Sequence, residues 1–225
     1  MKNKAEQERA LWTGLAKSIA HDMGTPLSAI MGWLELLPTS ADPSSIAAEI
    51  NRNADRLRLL AERLNQIGAP ARIEAIDIRD IFRDVESYFA KRLPSLTEKI
   101  SIKEEIEGTP CVQTSRELLS WALENLVRNS IDALPVEGGE IVLRAFQTGK
   151  NVTIEVSDNA QGISEKDQGD IFKPGFTTKR GGRGIGLSVA KYIIEDLHGS
   201  EISLKESHPG RGTTMIMVLK SAPSF

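Results

Sequence analysis

The segment WALENLVRNSIDAL, residues 121–134, lies in a Leu-rich run from Thr114 to Leu134 whose apolar spacing predicts one long helix. Within it Asn125 and Asn129 stand four apart, so both carboxamides project from one helical face. Asparagine is mildly unfavourable in mid-helix because its side chain competes for backbone partners. The pair reads either as surface residues or as oxygen ligands. Such oxygens suit a Mg2+ ion that keeps waters and phosphate oxygens as its other ligands.

Around this helix the rhythm is mixed. Ile76 to Phe89 predicts a helix, and Ile100 to Ile106 alternates like a strand. Glu140 to Phe146 and Val152 to Ser157 alternate on either side of Thr148-Gly149-Lys150, the pattern of a hairpin. A loop rich in Gly and Lys, Asn159 to Arg183, leads to a helix from Gly186 to Leu197 and to strands at Glu201 to Lys205 and Thr213 to Leu219. This order predicts an α/β sandwich with helices on one face of a mostly antiparallel sheet.

Three short runs punctuate that region: Asp158-Asn159-Ala160-Gln161-Gly162 at a strand end, Phe172-Lys173-Pro174-Gly175-Phe176-Thr177-Thr178-Lys179, and Gly182-Arg183-Gly184-Ile185-Gly186-Leu187. Glycine spacing alone is weak, since turns use glycine too. At a helix start it gains meaning, because free backbone N–H groups and the helix dipole favour an anion and glycine lets a phosphate approach. The run is not a P-loop, which needs Gly-Lys-Ser/Thr, and it lacks the strand-turn-helix context of a dinucleotide fold.

From Ala5 to Ile67 the period is helical throughout. Leu11, Leu15, Ile19, Met23, Leu27, Ile30, Leu34 and Leu37 draw one stripe, ended by Pro38 and the polar run to Asp42. Asp42 before Pro43 reads as an N-cap with proline at the first helical position. The second helix carries Ile46, Ile50, Asn53, Leu57, Leu60, Leu64 and Ile67, and Gly68 and Pro70 close it. A strict four-three alternation is a bundle seam, and its one polar member, Asn53, is of the kind that fixes register. A lone helical hairpin leaves each stripe half covered, so a homodimer through residues 1–68 is expected, as a four-helix bundle.

With 28 Lys and Arg against 31 Asp and Glu the net charge is −3, and no basic block offers a footprint for duplex nucleic acid or anionic lipid. Hydrophobic residues at 40% and charged residues at 26% exclude a disordered chain. Cys111, the single cysteine, rules out an internal disulfide or a zinc framework and reads as a small core or strand residue. No window has the ~18 uninterrupted apolar residues of a membrane span, and no apolar signal core follows the N-terminal lysines. The expected location is cytoplasmic, with no membrane contact in this chain. The parent is expected to be either a larger receptor, membrane-anchored or multidomain, or a kinase whose input comes from another protein.

His21 lies two residues past Ile19 and so turns away from the apolar stripe. Asp22 follows it, and Pro26 cannot donate to the Asp22 carbonyl and crowds it, so a bend is expected beside the histidine. A lone helical histidine is ordinarily a surface or satisfied core residue. An exposed imidazole beside a carboxylate is also a usable nucleophile, because the carboxylate takes the proton of one ring nitrogen and leaves the lone pair on the other.

The run HDMGTPLSAI, residues 21–30, resembles the H-box of sensor histidine kinases of two-component systems, at His21, Asp22, Thr25, Pro26 and Leu27. The Asn125–Asn129 helix, the Asp158–Gly162 segment, the Phe172–Lys179 segment and the Gly182–Leu187 segment resemble, in order, the N, G1, F and G2 boxes of that family's catalytic domain. Its superfamily also holds gyrase, MutL and heat-shock chaperones. The resemblance extends from about Leu11 to Leu219 and, in the NSIDAL run, is similar to the nitrogen-regulation subgroup.

The resemblance implies a dimeric phosphoacceptor hairpin over 1–68, a hinge at 69–72 and an ATP-binding catalytic domain over 73–222. ATP and Mg2+ follow as cofactors, with Asn125 and Asn129 on the metal and Asp158 accepting from the adenine amino group. Gly162 would let the base sit close, and Thr213 would lie near adenine. Thr177, Thr178 and Lys179 belong to a mobile lid, and Gly182, Gly184 and Gly186 cradle the phosphates. Ile163, Leu187 and Asp132 complete the nucleotide-binding set. Two positions depart from the family pattern: Ala160 replaces the first glycine of the G1 box, and Asp132 stands where many relatives carry a phosphate-binding lysine. Lys179 is then the expected phosphate-facing cation.

The activity implied is autophosphorylation of His21, with Asp22 orienting the ring and taking its proton, then transfer to an aspartate of a response-regulator receiver domain. Thr25 would position water for dephosphorylating the regulator. Two rivals remain at this stage, an ATP-hydrolysing conformational switch and a dimeric pseudokinase scaffold. The switch relatives place a glutamate four residues before the metal-binding asparagine, where this chain has Asn125, and Glu124 is about 100° away on the helix. The scaffold would not need His21, Asn125, Asn129 and Asp158 together. Trp12, Trp33 and Trp121 are expected to pack, and His198 before Gly199 is expected to end a helix.

Overall fold

The computed structural model describes residues 2–39, 42–68, 72–92, 99–179, 182 and 184–222. They fall into two compact units, Met1–Ala71 and Arg72–Phe225. Hinge residues 69–71, Arg183 of the glycine run and the side chains of Leu64 and Ile67 lie outside the described residues.

The first unit is a helical hairpin: α1 spans Lys2–Leu36, a 3-10 turn follows at Leu37–Thr39, and α2 spans Pro43–Gly68. Asp42 starts α2 as expected. Its Oδ1 accepts the Ser44 hydroxyl at 2.6 Å and the Ser45 N–H at 3.1 Å, and these bonds hold its carboxyl below the usual carboxylate range. α1 runs on through a buried Pro26 as one helix. Leu11, Leu15 and Ile19 of α1 and Ile46 of α2 are buried in the hairpin. The single stripe read from sequence divides there, since Leu27 and Leu34 are 50% and 51% exposed, as is Met31 at 58%. Trp12, expected to pack, is also exposed. Asn53 is buried, and its amide donates to the Glu49 carbonyl of its own helix at 2.8 Å.

In the second unit a five-stranded sheet has the order β2-β4-β5-β7-β6. The strands are β2 (Ile100–Ile106), β4 (Gly139–Thr148), β5 (Asn151–Asp158), β6 (Glu201–His208) and β7 (Gly212–Lys220). All neighbours are antiparallel except β2 and β4. The helices are α3 (Ile78–Arg92), α4 (Arg116–Ala133), α5 (Glu165–Gln168) and α6 (Gly186–Lys191), the last continuing as a π-helical segment, Tyr192–Leu197. Leu143, Ile154 and Met217 from the sheet and Leu119, Leu123 and Ile193 from the helices are buried in its core.

Two short strands, β1 (Glu74–Asp77) and β3 (Cys111–Thr114), pair antiparallel outside the main sheet. The helix expected from Ile76 therefore begins at Ile78, because Ile76 and Asp77 are taken by Val112 and Cys111. The helix expected from Thr114 begins at Arg116 for the same reason. On the sheet face opposite Ile154, Glu155 is 3% exposed and is compensated by Lys205 at 2.5 Å and Arg144 at 3.6 Å. A carboxylate that deep needs such partners.

The N-terminus of α4 has no side-chain cap of its own. His198 closes it from the far end of the π-helical segment. Its Nδ1 lies 2.7 Å from the Ile193 carbonyl, and its Nε2 lies 3.3 Å from the Ser115 N–H. A carbonyl can only accept, so Nδ1 carries the proton and Nε2 accepts from Ser115. Burial pushes the imidazole pKa below its usual 6.5, partly opposed by the bond to Ile193. The folded state thus favours neutral imidazole, and its contribution is present above about pH 6.5 and lost as pH falls through the lower folded value. His198→Ala is expected to cost about 1–3 kcal/mol by orphaning the Ser115 N–H, and to flatten the decline in melting temperature between pH 7 and 5. A variant that keeps the wild-type slope would contradict this tautomer and its role.

Candidate functional site

Asp158 is the last residue of β5, and strand register sets it beside Thr213 of β7. Its Oδ1 accepts the N–H groups of Ala160 and Thr213, both at 3.1 Å, and its Oδ2 accepts the Ser130 hydroxyl of α4 at 2.7 Å. Both oxygens are thus fixed in direction; Oδ1 is filled by two donors, and Oδ2 retains capacity for one more. The close approach demands glycine at 212, whose φ is 101° and where a Cβ would collide with the Asp158 carbonyl.

The segment beyond Asp158 is held against the β6–β7 turn. Gly162 has φ 70°, and a Cβ there would strike the His208 carbonyl. Its glycine is therefore required by this packing, a reason that motif reading does not supply. Ser207 is buried, accepts the Ile163 N–H at 2.8 Å and lies 2.9 Å from the Thr213 hydroxyl. Gln168 donates to the carbonyls of Ile163 and Ser207, both at 3.1 Å. Ala160, the departure from glycine, is buried. Ser130, Ser207 and Gln168 were not singled out from sequence. Only Ser130 carried a signal, its place one residue after Asn129.

On the same helix as Ser130, Asn125 donates its amide to the Trp121 carbonyl at 3.0 Å, which turns its oxygen away from that carbonyl. A Cβ on Gly186, at the start of α6, would lie 3.3 Å from that oxygen and 3.8 Å from the Asn129 amide nitrogen. The asparagine face of α4 and the end of the glycine run are thus brought together. Gly184 has φ 65°, and a Cβ there would run into the Gly175–Phe176 backbone. Leu187 is half-buried on α6.

Thr177 accepts the Lys179 N–H at 3.1 Å, Gly182 donates to the Lys179 carbonyl at 3.1 Å, and Thr178 is exposed. The Lys179 ammonium lies 3.1 Å from Asp132 Oδ2. Among the described residues no three His, Cys, Asp or Glu side chains cluster as metal ligands. Two neutral carboxamides fit a hard divalent cation only where phosphate oxygens and water complete its shell and balance its charge.

In the hairpin unit His21 is exposed, its side chain 65% accessible, and Nδ1 lies 3.7 Å from Asp22 Oδ1. That separation is an ion-pair distance rather than a hydrogen bond. The Thr25 hydroxyl lies 3.4 Å from the His21 carbonyl, one turn away.

One unit is thus a hairpin bearing an exposed histidine, and the other a sandwich bearing a glycine- and asparagine-lined site. Residues 12–70 match the family described as "His Kinase A (phospho-acceptor) domain", and residues 114–223 match "Histidine kinase-, DNA gyrase B-, and HSP90-like ATPase". The chain belongs to the sensor histidine kinases. It is 30% identical over 212 residues to sensor histidine kinase ZraS of Escherichia coli (strain K12), covering 91% of this chain and 44% of ZraS. It is 32% identical over 209 residues to sensory histidine kinase/phosphatase NtrB of Escherichia coli O157:H7, covering 87% of this chain and 59% of NtrB. The chain thus spans about half the length of these curated relatives.

Among solved structures, the catalytic domain of histidine kinase ThkA aligns at 29% identity and TM-score 0.59, over 68% of this chain and 99% of that one. ThkA in complex with response regulator protein TrrA aligns over 98% of this chain and 66% of that one, with TM-score 0.57; at 24% identity it shows the fold alone. No described helix is long and apolar enough to cross a membrane.

Removing the Ser130 hydroxyl takes away the donor that connects α4 to the Asp158 carboxylate. Ser130→Ala is expected to weaken ADP binding about three- to tenfold, less than the ~1.5–3 kcal/mol of one hydrogen bond to a charged group because this bond orients the carboxylate rather than touching the ligand, and Asp158→Asn to abolish it. Calorimetry with ADP measures both. Wild-type affinity in Asp158→Asn would remove the carboxylate from nucleotide recognition.

Proposed function

We propose that this chain is the kinase core of a two-component sensor, transferring the γ-phosphoryl group of ATP to His21 and then to an aspartate of a response regulator. One observation carries the reading: a single chain bears an exposed imidazole beside a carboxylate on a helical hairpin and, in a unit that matches the ATPase family, a glycine run brought against an asparagine face. Asp158 reads the adenine amino group through its remaining acceptor capacity. Gly182, Gly184 and Gly186 leave the backbone open to the phosphates. Lys179 supplies a cation. Asn125 and Asn129 would hold Mg2+, which when bound neutralises phosphate charge.

His21 Nδ1 is the ring nitrogen nearer Asp22, which leaves Nε2 as the nucleophile. A bond forms from Nε2 to the γ-phosphorus, the bond from phosphorus to the β,γ-bridging oxygen breaks, and ADP leaves. The Nδ1 proton of the resulting imidazolium passes to Asp22. The companion reading, hydrolysis as the main activity, lacks a placed base: Glu124 is 9% exposed on α4 and about 100° around the helix from Asn125.

Partner assignments rest on chemistry and on relatives. The bare leucines and methionine of α1, Leu27, Met31 and Leu34, recur at four and three and suit a second copy of the hairpin. A response regulator as the next phosphoryl acceptor accords with the histidine kinase families that residues 12–70 and 114–223 match. NtrB, named as both kinase and phosphatase, supports a regulator-phosphatase activity as well, in which Thr25 would position the water. The signal would enter through segments of the parent protein or through another protein.

Incubation with γ-labelled ATP and Mg2+ tests the kinase reading. The expected result is acid-labile, alkali-stable label on the wild-type protein and none on His21→Gln. Free phosphate without protein label would instead favour a hydrolytic switch, and neither product would favour a scaffold. Sedimentation at micromolar concentration is expected to show a dimer, reduced to monomer by Leu27→Glu with Leu34→Glu; a wild-type monomer would refute the bundle.

A further inference from the structure

We propose that Asp132 is a positioning residue that competes with nucleotide phosphate for the Lys179 ammonium, and so sets how tightly phosphate-bearing nucleotides are held. This rests on the ATP-site reading above. Asp132 follows Asn129 by three residues on α4 and shares its face. A carboxylate at that place has the charge of the phosphates it would meet, so it repels them directly. Its contact in the fold is instead Lys179, at 3.1 Å.

Neither partner is deep. The Lys179 side chain is 35% accessible and that of Asp132 is 48% accessible, so solvent screens the pair and the bond is exchangeable. The Lys179 backbone is held on both sides, by the Thr177 hydroxyl and by Gly182. The flexible four-carbon stem is therefore what can redirect the charge. Turning it to phosphate leaves Asp132 without that partner beside the incoming anion. Both effects weaken the phosphate end and leave the base end unchanged.

The test is calorimetric, on the full chain, with ADP and adenosine as the two probes. Asp132→Asn is expected to bind ADP about two- to fivefold tighter, with adenosine affinity unchanged. Asp132→Glu is expected to restore wild-type values. Lys179→Met is expected to weaken ADP binding, and Asp132→Asn added to it to give less tightening than in the wild-type background. Unchanged or weaker ADP binding in Asp132→Asn, or equal tightening of adenosine, would overturn the inference while leaving the ATP site standing. Full tightening retained in the Lys179→Met background would also overturn it. If the wild-type chain binds neither probe, the ATP-site reading fails and this inference fails with it.

Discussion

The Asp158 carboxylate is the point through which the catalytic unit is tied together. Three donors converge on it from different parts of the chain: Ala160 from the loop just beyond, Thr213 from β7, and Ser130 from α4. A partly buried carboxylate is tolerable only when its lone pairs are met, so the strand end, the neighbouring strand and the helix must arrive together. Gly212 and Gly162 are the backbone conditions for that convergence, each lying where a side chain would collide with a carbonyl. Ser130 and Asn125 stand five positions apart on one helix. The Asp158 end and the asparagine face are therefore coupled: a shift of α4 that disturbed one would disturb the other.

What the sequence made legible follows from what repeats or what is local. Long helices and the strands around Gly149 show their periods, and the sheet's antiparallel character follows from their order. Asp42 capping is local, and it appears as expected. β1 and β3 were missed because four residues are too few to establish a period, and Ile76 fits a helix start as well as a strand. At the site, glycines and asparagines are conspicuous by type, whereas Ser130, Ser207 and Gln168 act through partners 28 to 44 positions away. A hydroxyl gives no sign in sequence of which distant group it will meet. The split of the α1 stripe was equally hidden, since periodicity marks a face as apolar without saying what covers it.

Asn53 shows the same limit from the other side. In a seam of Ile and Leu it reads as a register-fixing residue. In the hairpin its amide is spent on the Glu49 carbonyl one turn back, so burial is satisfied within α2 itself. Specificity in pairing then rests more on the shape of the apolar stripe, whose bare part begins after Pro26, than on a polar contact between helices. His21 lies before Pro26, exposed and roughly 80–140° around α1 from Leu27, Met31 and Leu34, so the assembly and the chemistry proposed would use different faces of one helix.

The division of labour between the two units bears on why ATP would be used for transfer rather than spent on water. A site that binds nucleotide tightly while carrying a carboxylate base beside its metal-binding groups activates the nearest water. Here the positions proposed to face the metal are neutral carboxamides, and the neighbouring Glu124 is buried on another side of α4. The site as proposed would thus neutralise and orient phosphate without placing a carboxylate base beside Asn125 and Asn129. The nucleophile proposed, His21, sits on a separate compact unit. Reaction then requires the units to meet, which makes the approach of the histidine the step where a signal can act. Exposure of His21 serves that purpose: an imidazole that must reach a nucleotide and later a regulator's aspartate cannot be packed away in either setting.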